Sequence, residues 1–173
     1  MNMNKSGIEI ERKYIIKIPD VEKMRAEEKY SPSEILQIYL SSPRGVTHRI
    51  RKRETGGVAA YTETKKIRID KMSCHEDERE ISEREFLALS KNIREGTQPI
   101  KKTRHVFIYE GHAFEVDVYP AWKSSCILET ELASAGETVN FPDFIEVISE
   151  VTGNPAYTNY AMSKSFPEEI IEA

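Results

Sequence analysis

An α+β chain built on a closed antiparallel barrel of about eight strands, with helices packed on its outside and a C-terminal helix, is what the sequence predicts. Three observations carry that prediction. The first is an alternation of apolar and charged residues at the period of a strand, which recurs along the chain. It opens at Ile8-Glu9-Ile10-Glu11-Arg12-Lys13-Tyr14-Ile15-Ile16, with Glu9, Glu11 and Lys13 on one face and Ile8, Ile10 and Tyr14 on the other. The second is the punctuation between these stretches, where Gly56-Gly57 and Glu110-Gly111 read as hairpin turns. The third is that the helical segments are few and carry apolar stripes, which need a sheet to cover.

In chain order, Pro19 and Asp20 end the first strand and open a helix through about Lys29, which Ser31-Pro32-Ser33 breaks. Ile35 to Leu40 is the second strand. A turn containing Pro43 and Gly45 leads to Thr47-His48-Arg49-Ile50-Arg51-Lys52-Arg53, a strand with Arg49, Arg51 and Arg53 on one face. Its return strand, Ala59 to Ile69, carries Tyr61, Glu63 and Lys65 on one parity. The strand His75 to Ile81 sets Glu76, Glu78 and Glu80 on one face. Ser82 followed by Glu85 is a capping-box pattern, opening a helix through about Asn92 whose Phe86, Leu87 and Leu89 face the sheet. After the Gly96–Pro99 loop comes a hairpin of Ile100 to Tyr109 and His112 to Tyr119. It aligns Lys102 with Arg104 and Glu115 with Asp117. Cys126 to Leu132 is the last strand, with Glu129 and Glu131 on one face. The tail from Phe141 to Phe166 reads as helix in two pieces, broken around Gly153-Asn154-Pro155.

Length and composition bound the function. The 173 residues fit one domain, 1–173, with enough chain to bury a sizeable core. A charged fraction of 31% is high, yet the net charge of −4 gives no global attraction to nucleic acid or to an anionic membrane. Any basic residues that act must therefore be concentrated locally. Cys74 and Cys126 make no metal-ligand pattern and read as unpaired thiols in a reducing compartment. No signal-like start and no long apolar run is seen, so a cytoplasmic protein is expected.

Each strand has an apolar and a charged parity. Because the helices need an apolar sheet surface, the apolar parity faces outward and the charged parity lines the interior. Burying so many charges without ligands would cost several kcal/mol for each unpaired ion. A water-filled tunnel that holds a polyanion together with a divalent cation relieves both signs. Arginine and lysine grip phosphate oxygens, and clustered carboxylates accept a hard cation, Mg²⁺ or Mn²⁺. A nucleic-acid barrel would interleave its basic residues with exposed aromatics. Here they interleave with carboxylates.

Taken in order, these motifs resemble the CYTH superfamily, the triphosphate tunnel metalloenzymes, over nearly the whole chain. Glu9-x-Glu11-x-Lys13 is similar to the family signature. Gln37-Ile38-Tyr39-Leu40, Arg49-Ile50-Arg51, a tunnel lysine at Lys65 and Glu76-Asp77-Glu78 continue the match. Lys102-Thr103-Arg104, Phe114-Glu115-Val116-Asp117, Glu129-Thr130-Glu131-Leu132 and Glu150-Val151-Thr152-Gly153, with Tyr157 and Asn159, complete it. The resemblance implies end-on binding of a triphosphate with a divalent metal. Glu9, Glu11, Glu129 and Glu131 would be the metal carboxylates. Lys13, Arg49, Arg51, Lys65, Lys102 and Arg104 would hold phosphates. Glu76 and Glu78 would hold a second metal or position the attacking water, and Lys13 could share in activating it. Arg53, Glu63, Glu80, Glu115 and Asp117 are expected in support.

Short bacterial members look mostly like inorganic triphosphatases, which makes metal-assisted hydrolysis of inorganic triphosphate to diphosphate and phosphate the leading expectation. An adenylate cyclase, a thiamine or nucleoside triphosphatase, and a non-catalytic polyphosphate- or nucleotide-binding module stay open. Tyr61 and Trp122 could stack on an organic group if they reach a tunnel mouth, although Trp122 reads as packing and His105 and His112 as strand or turn residues. Glu63 departs from the family, which has a threonine two residues before the tunnel lysine. A homodimer is suggested by the likeness alone.

Overall fold

The structure, a computed structural model, describes residues 8–172. Its strands are β1 (Ile8–Lys17), β2 (Glu28–Leu40), β3 (Val46–Thr55), β4 (Val58–Arg68), β5 (Ser73–Glu80), β6 (Ile100–Tyr109), β7 (His112–Val118), β8 (Ser125–Glu131) and β9 (Val147–Glu150). Helix α1 (Val21–Arg25) follows β1, α2 (Glu83–Leu89) follows β5 and α3 (Asn159–Lys164) follows β9. The sheet runs β5-β4-β3-β2-β6-β7-β8-β1-β9, and a further β5–β1 pairing closes the first eight strands into a barrel. Every pairing is antiparallel. The expected barrel is therefore present, with β9 as an addition. Among the described residues no helix is long and apolar enough to cross a membrane.

The hairpins take the predicted turns. Gly56 and Gly57 (φ 57° and 81°) join β3 to β4 with Thr55 opposite Val58, and Glu110 and Gly111 (φ 47° and 79°) join β6 to β7. Positive φ at both central residues matches the right-handed twist of the strands.

The apolar parity faces outward, in two clusters. Tyr14, Ile16, Phe107, Phe114, Val116, Cys126 and Leu128 pack under Met24 of α1 and Ile145. Ile38, Leu40 and Ile50 pack with Ile81 under Phe86 of α2. The capping box at α2 forms, Ser82 Oγ accepting from the Glu85 amide at 3.1 Å and Glu85 Oε2 from the Ser82 amide at 2.8 Å. Leu87, expected on the packed face, is 57% exposed.

The inward parity changes character along the barrel. Toward one end it turns apolar, and Ile15, Tyr39, Ile100, Tyr119 and Ile127 fill the interior. Trp122, Ile148, Val151, Tyr157 and Met162 pack against them in the same cluster. Both cysteines are free and buried.

Two expectations are corrected. The helix expected through about Lys29 ends at Arg25, and β2 begins at Glu28, running through Pro32. Pro32 is tolerated because β2 pairs with β3 only from Glu34 onward, so its missing N–H lies along an unpaired edge. The tail is not helical from Phe141. Val147–Glu150 forms β9 beside Tyr14–Ile16, on the edge of β1 that β5 leaves bare beyond Ile10. Helical structure is confined to one 3₁₀ turn at Pro155–Tyr157 and to α3. The predicted break at Gly153 is present and has a steric cause. With φ +71°, a Cβ there would lie 2.8 Å from Lys71 Cβ.

Candidate active site

The charged parity encloses a cavity of about 760 Å³. Its acidic wall comes from Glu9 and Glu11 of β1, Glu76 and Glu78 of β5, Glu115 of β7, and Glu129 and Glu131 of β8. Its basic wall comes from Lys13, Arg49, Arg51, Lys66 and Arg104. Strand register sets these side chains in rows. Glu11 faces Glu131 across β1 and β8. Glu129 lies between Lys13 and Glu115. Arg49, Thr64 and Glu78 form one row across three strands, and Lys66 and Glu76 stand opposite each other in the next.

Part of the charge is paired. Lys13 Nζ lies 2.9 Å from Glu129 Oε1 and donates to the Tyr157 carbonyl at 3.1 Å. Lys66 Nζ bridges Glu9 (2.7 Å) and Glu76 (3.0 Å). Arg104 donates from Nε and Nη2 to the two oxygens of Asp117 at 2.7 and 2.8 Å, and it also pairs with Glu115. Thr64 Oγ1 donates to Glu78 at 2.7 Å.

Burial would lower the pKa of Lys13, but Glu129 and Glu11 outweigh it and hold it above the ordinary lysine value. Lys13 is therefore a cation that can grip phosphate and a poor base. Burial and Arg49 would likewise lower Lys66, and Glu9, Glu11 and Glu76 overcome them.

The rest of the charge lacks a partner, and here the cavity asks for a ligand. Among the described residues Arg51 has no carboxylate within ion-pair distance. It bonds the neutral Gln37 Oε1 from Nε at 3.0 Å and from Nη2 at 2.8 Å. Burial, then Arg49 and Arg104, draws its pKa down to about 9. Arg49 reaches Glu76 only loosely, Nη2 lying 3.6 Å from it, and its Nε is buried with no partner. On the other wall, burial and then Glu129 lift Glu11 to about 7, while burial and Glu9 raise Glu131. Unpaired guanidinium N–H groups fit an anion. Facing carboxylates that resist ionisation together fit a hard cation between them. The oxygen-only donor set of Glu11 and Glu131 thus agrees with Mg²⁺ or Mn²⁺.

Several expected site residues are placed elsewhere. Lys65 is exposed on the outer face of β4, and the lysine in the cavity is Lys66. Glu63 also faces outward, accepting from Arg79 Nε at 2.6 Å and lying 2.7 Å from His48 Nε2. The supposed departure from the family disappears, since Thr64 stands two residues before Lys66. Lys102 has the expected parity, but its side chain is 0% exposed and lies 2.6 Å from Asp117, outside the cavity lining. Burial would raise the Asp117 carboxyl, but Arg104 and Lys102 hold it at about 2. Asp117 is accordingly a buried anchor. Arg53 bonds Ser33 Oγ at 3.0 Å, and Glu80 is exposed at the end of β5; neither lines the cavity.

The four expected metal carboxylates do not gather at one point, because Glu129 is turned to Lys13 and Arg104. Among the described residues the trio whose ligand atoms lie within 4.8 Å of one another is Glu9, Cys74 and Glu76. Tyr61 packs on Phe86 outside the barrel and Trp122 is buried in the end cluster, so neither is a stacking platform at a mouth. His105 meets the Tyr30 hydroxyl at 2.9 Å and His112 meets Glu137 at 2.8 Å, both away from the cavity lining. Residues that sequence reasoning missed are Lys66, Thr64 and Tyr160 of α3, while Asn159, part of the C-terminal motif, does line the cavity.

The chain matches no family model and no curated protein. Solved structures do match. The inorganic triphosphatase NE1496 is 26% identical with a TM-score of 0.57, over 92% of this chain and 97% of that one. A further structure of NE1496 gives 27% identity and a TM-score of 0.56, over 92% and 99% of the two chains. PH1819 from Pyrococcus horikoshii OT3, 22% identical with a TM-score of 0.56 over 74% of this chain and 80% of that one, shares the fold. With the same closed barrel and the acidic and basic rows that the resemblance required on its inner face, this chain has a CYTH-like fold, shared with the inorganic triphosphatase NE1496.

Proposed function

We propose that this chain is a divalent-metal-dependent triphosphatase whose substrate is inorganic triphosphate, cleaved to diphosphate and phosphate. The observation that carries the reading is the division of unpaired charge inside one cavity. Arg51 has no counter-anion on the basic wall, and Glu11 faces Glu131 on the acidic wall. An anion alone would leave the carboxylates in conflict, and a cation alone would leave Arg51 unpaired. A metal–triphosphate complex satisfies both. The likeness to the inorganic triphosphatase NE1496 supports the same substrate class.

Glu11 and Glu131 would hold Mg²⁺ or Mn²⁺, with Glu9 and Glu129 adjoining. When bound, the ion supplies Lewis-acid polarisation of phosphate oxygens. Arg49, Arg51 and Arg104 bind non-bridging oxygens and set the chain of phosphates along the barrel axis. Lys13 and Lys66, both held protonated by their carboxylates, neutralise charge that develops on the departing diphosphate. Glu78, oriented by the Thr64 hydroxyl, positions the attacking water and accepts a proton from it. The water oxygen bonds to the terminal phosphorus, the bridging P–O bond breaks and diphosphate leaves with the bond electrons. Positioning and charge stabilisation supply the catalysis, and no side-chain nucleophile takes part. The apolar end cluster fills the interior beyond Lys13. The reading takes a small-molecule triphosphate as partner, no nucleic acid, a cytoplasmic setting and a homodimer.

Phosphate release from inorganic triphosphate, ATP and thiamine triphosphate, each with Mg²⁺, Mn²⁺ or EDTA, tests the proposal. Metal-dependent release from inorganic triphosphate, abolished by Glu11→Ala, supports it. A preference for an organic triphosphate, or cyclic AMP among the products of ATP, overturns the substrate assignment. Tight binding without turnover under any metal overturns the enzyme reading.

A further inference from the structure

Gln37 is a fully buried polar residue beside the cavity that the proposed mechanism leaves unused. It lies on the inward face of β2, directly opposite Arg51 in the β2–β3 register. Its amide orientation follows from its partners. Arginine has only donors, so the atom that meets Arg51 Nε and Nη2 at 3.0 and 2.8 Å must be the amide oxygen. The amide nitrogen then points the other way and donates to the Tyr39 hydroxyl at 2.6 Å. The hydroxyl of Tyr39, which also lines the cavity, thus accepts from Gln37 and keeps its own hydrogen to give.

Three other cavity cations are matched by close carboxylates. Lys13 has Glu129, Lys66 has Glu9 and Glu76, and Arg104 has Asp117 and Glu115. A carboxylate opposite Arg51 would make the same fork of hydrogen bonds and would cancel its charge. The amide makes the fork and adds no charge.

We propose that Gln37 is a positioning residue that orients Arg51 and Tyr39 as donors to a phosphate oxygen while leaving the Arg51 charge unneutralised, so that the affinity of the cavity for triphosphate depends on the neutrality of residue 37. The inference rests on the triphosphate reading of the same cavity. It predicts that the fork to Arg51 and the charge on Arg51 can be separated by one isosteric change. Gln37→Glu keeps the fork to Arg51, supplies the negative charge that the protein withholds and, having no donor of its own, also draws the Tyr39 hydrogen to itself. Gln37→Met removes the fork and adds no charge.

The test measures inorganic triphosphate binding by calorimetry in EDTA, and KM and kcat with Mg²⁺, for the intact chain and both variants. The wild type binds, and Gln37→Glu weakens binding and raises KM by about tenfold or more, the worth of a charge-assisted hydrogen bond, with kcat changed much less. Thermal melting shows Gln37→Glu to be as stable as the wild type, since its new carboxylate is paired. Gln37→Met weakens binding through lost orientation, and its melting temperature falls as well. A Gln37→Glu protein that binds triphosphate as the wild type does overturns the inference and leaves the triphosphate reading standing. A wild type without affinity for triphosphate overturns both. If Gln37→Glu does not fold, Gln37→Met decides alone, and unchanged affinity in it overturns the proposal.

Discussion

Two adjacent lysines on β4 give the sharpest test of which side chains do the work. Lys66 Nζ lies in the cavity, 2.7 Å from Glu9 and 3.0 Å from Glu76, with its side chain 26% exposed. Lys65 stands on the outer face, opposite His48 on one side and Asp77 on the other, and is exposed. Lys66→Ala removes a cation from the phosphate path and leaves two carboxylates facing that path uncompensated. A charge-assisted contact is worth about 1.5–3 kcal/mol, and the partial exposure of Lys66 argues for the lower half of that range. Catalytic efficiency toward inorganic triphosphate should therefore fall by about 10- to 50-fold. Lys65→Ala removes an exposed charge with no ion-pair partner among the described residues, and such changes stay within about 0.5 kcal/mol, close to a twofold effect. The assay is steady-state phosphate release at fixed ionic strength, with urea melts to confirm that both variants fold. A larger loss in Lys65→Ala than in Lys66→Ala would refute the placement of β4 and, with it, the basic wall.

Other consequences follow from the buried pairs. Asp117→Asn leaves Lys102 and Arg104 buried without their shared counter-charge and should cost about 3–5 kcal/mol in a urea melt. Lys102→Met should cost less than that, because Arg104 keeps both of its bonds to Asp117. Glu63→Ala, on the outer face, should lower stability by about 1–2 kcal/mol through His48 and Arg79 and leave the KM for triphosphate unchanged. Glu169 accepts backbone N–H bonds from Lys123, Ser124 and Ser125, which depress its pKa to about 2 from 4.5. A carboxyl depressed in the folded state contributes stability above pH 4.5 that is lost as the pH falls through about 2. The tail should therefore detach in that acid window, reported by fluorescence of Trp122, the single tryptophan, whose Nε1 donates to the Pro167 carbonyl at 3.0 Å. In Glu169→Gln that transition should be absent.

Much of the barrel and of its two walls was legible because a strand shows its two faces at period two. On β1 and β8 one parity is charged and the other mostly apolar, so the inward rows Glu9-Glu11-Lys13 and Glu129-Glu131 could be read directly, while on β3 and β5 the runs of like charge at period two, Arg49-Arg51 and Glu76-Glu78, marked the inward face. On β4 both parities are polar, and the alternation alone could not choose between Lys65 and Lys66. A signal was present all the same. The two-residue turn at Gly56-Gly57 sets the β3–β4 register, and counting back from it places Thr64 beside Arg49, which makes Lys66 the inward lysine. β9 was missed because Val147–Glu150 is a strand only by virtue of the bare edge of β1 beside it. Pro32 hid the start of β2 for a related reason, since its tolerance depends on where β3 stops.

By itself, then, the sequence determined the barrel, the outward apolar surface and the existence of two opposed charged walls, since all three follow from local periodicity and turn chemistry. The tertiary structure decided which of those charges are spent on one another. Lys102 and Arg104 share Asp117 in the interior, and Arg104 also has Glu115, whereas Arg51 is left with an uncharged amide and Glu11 with another carboxylate. Pairing depends on distances between side chains on different strands and on how far water is excluded from them. Neither quantity is written in the order of residues along one strand.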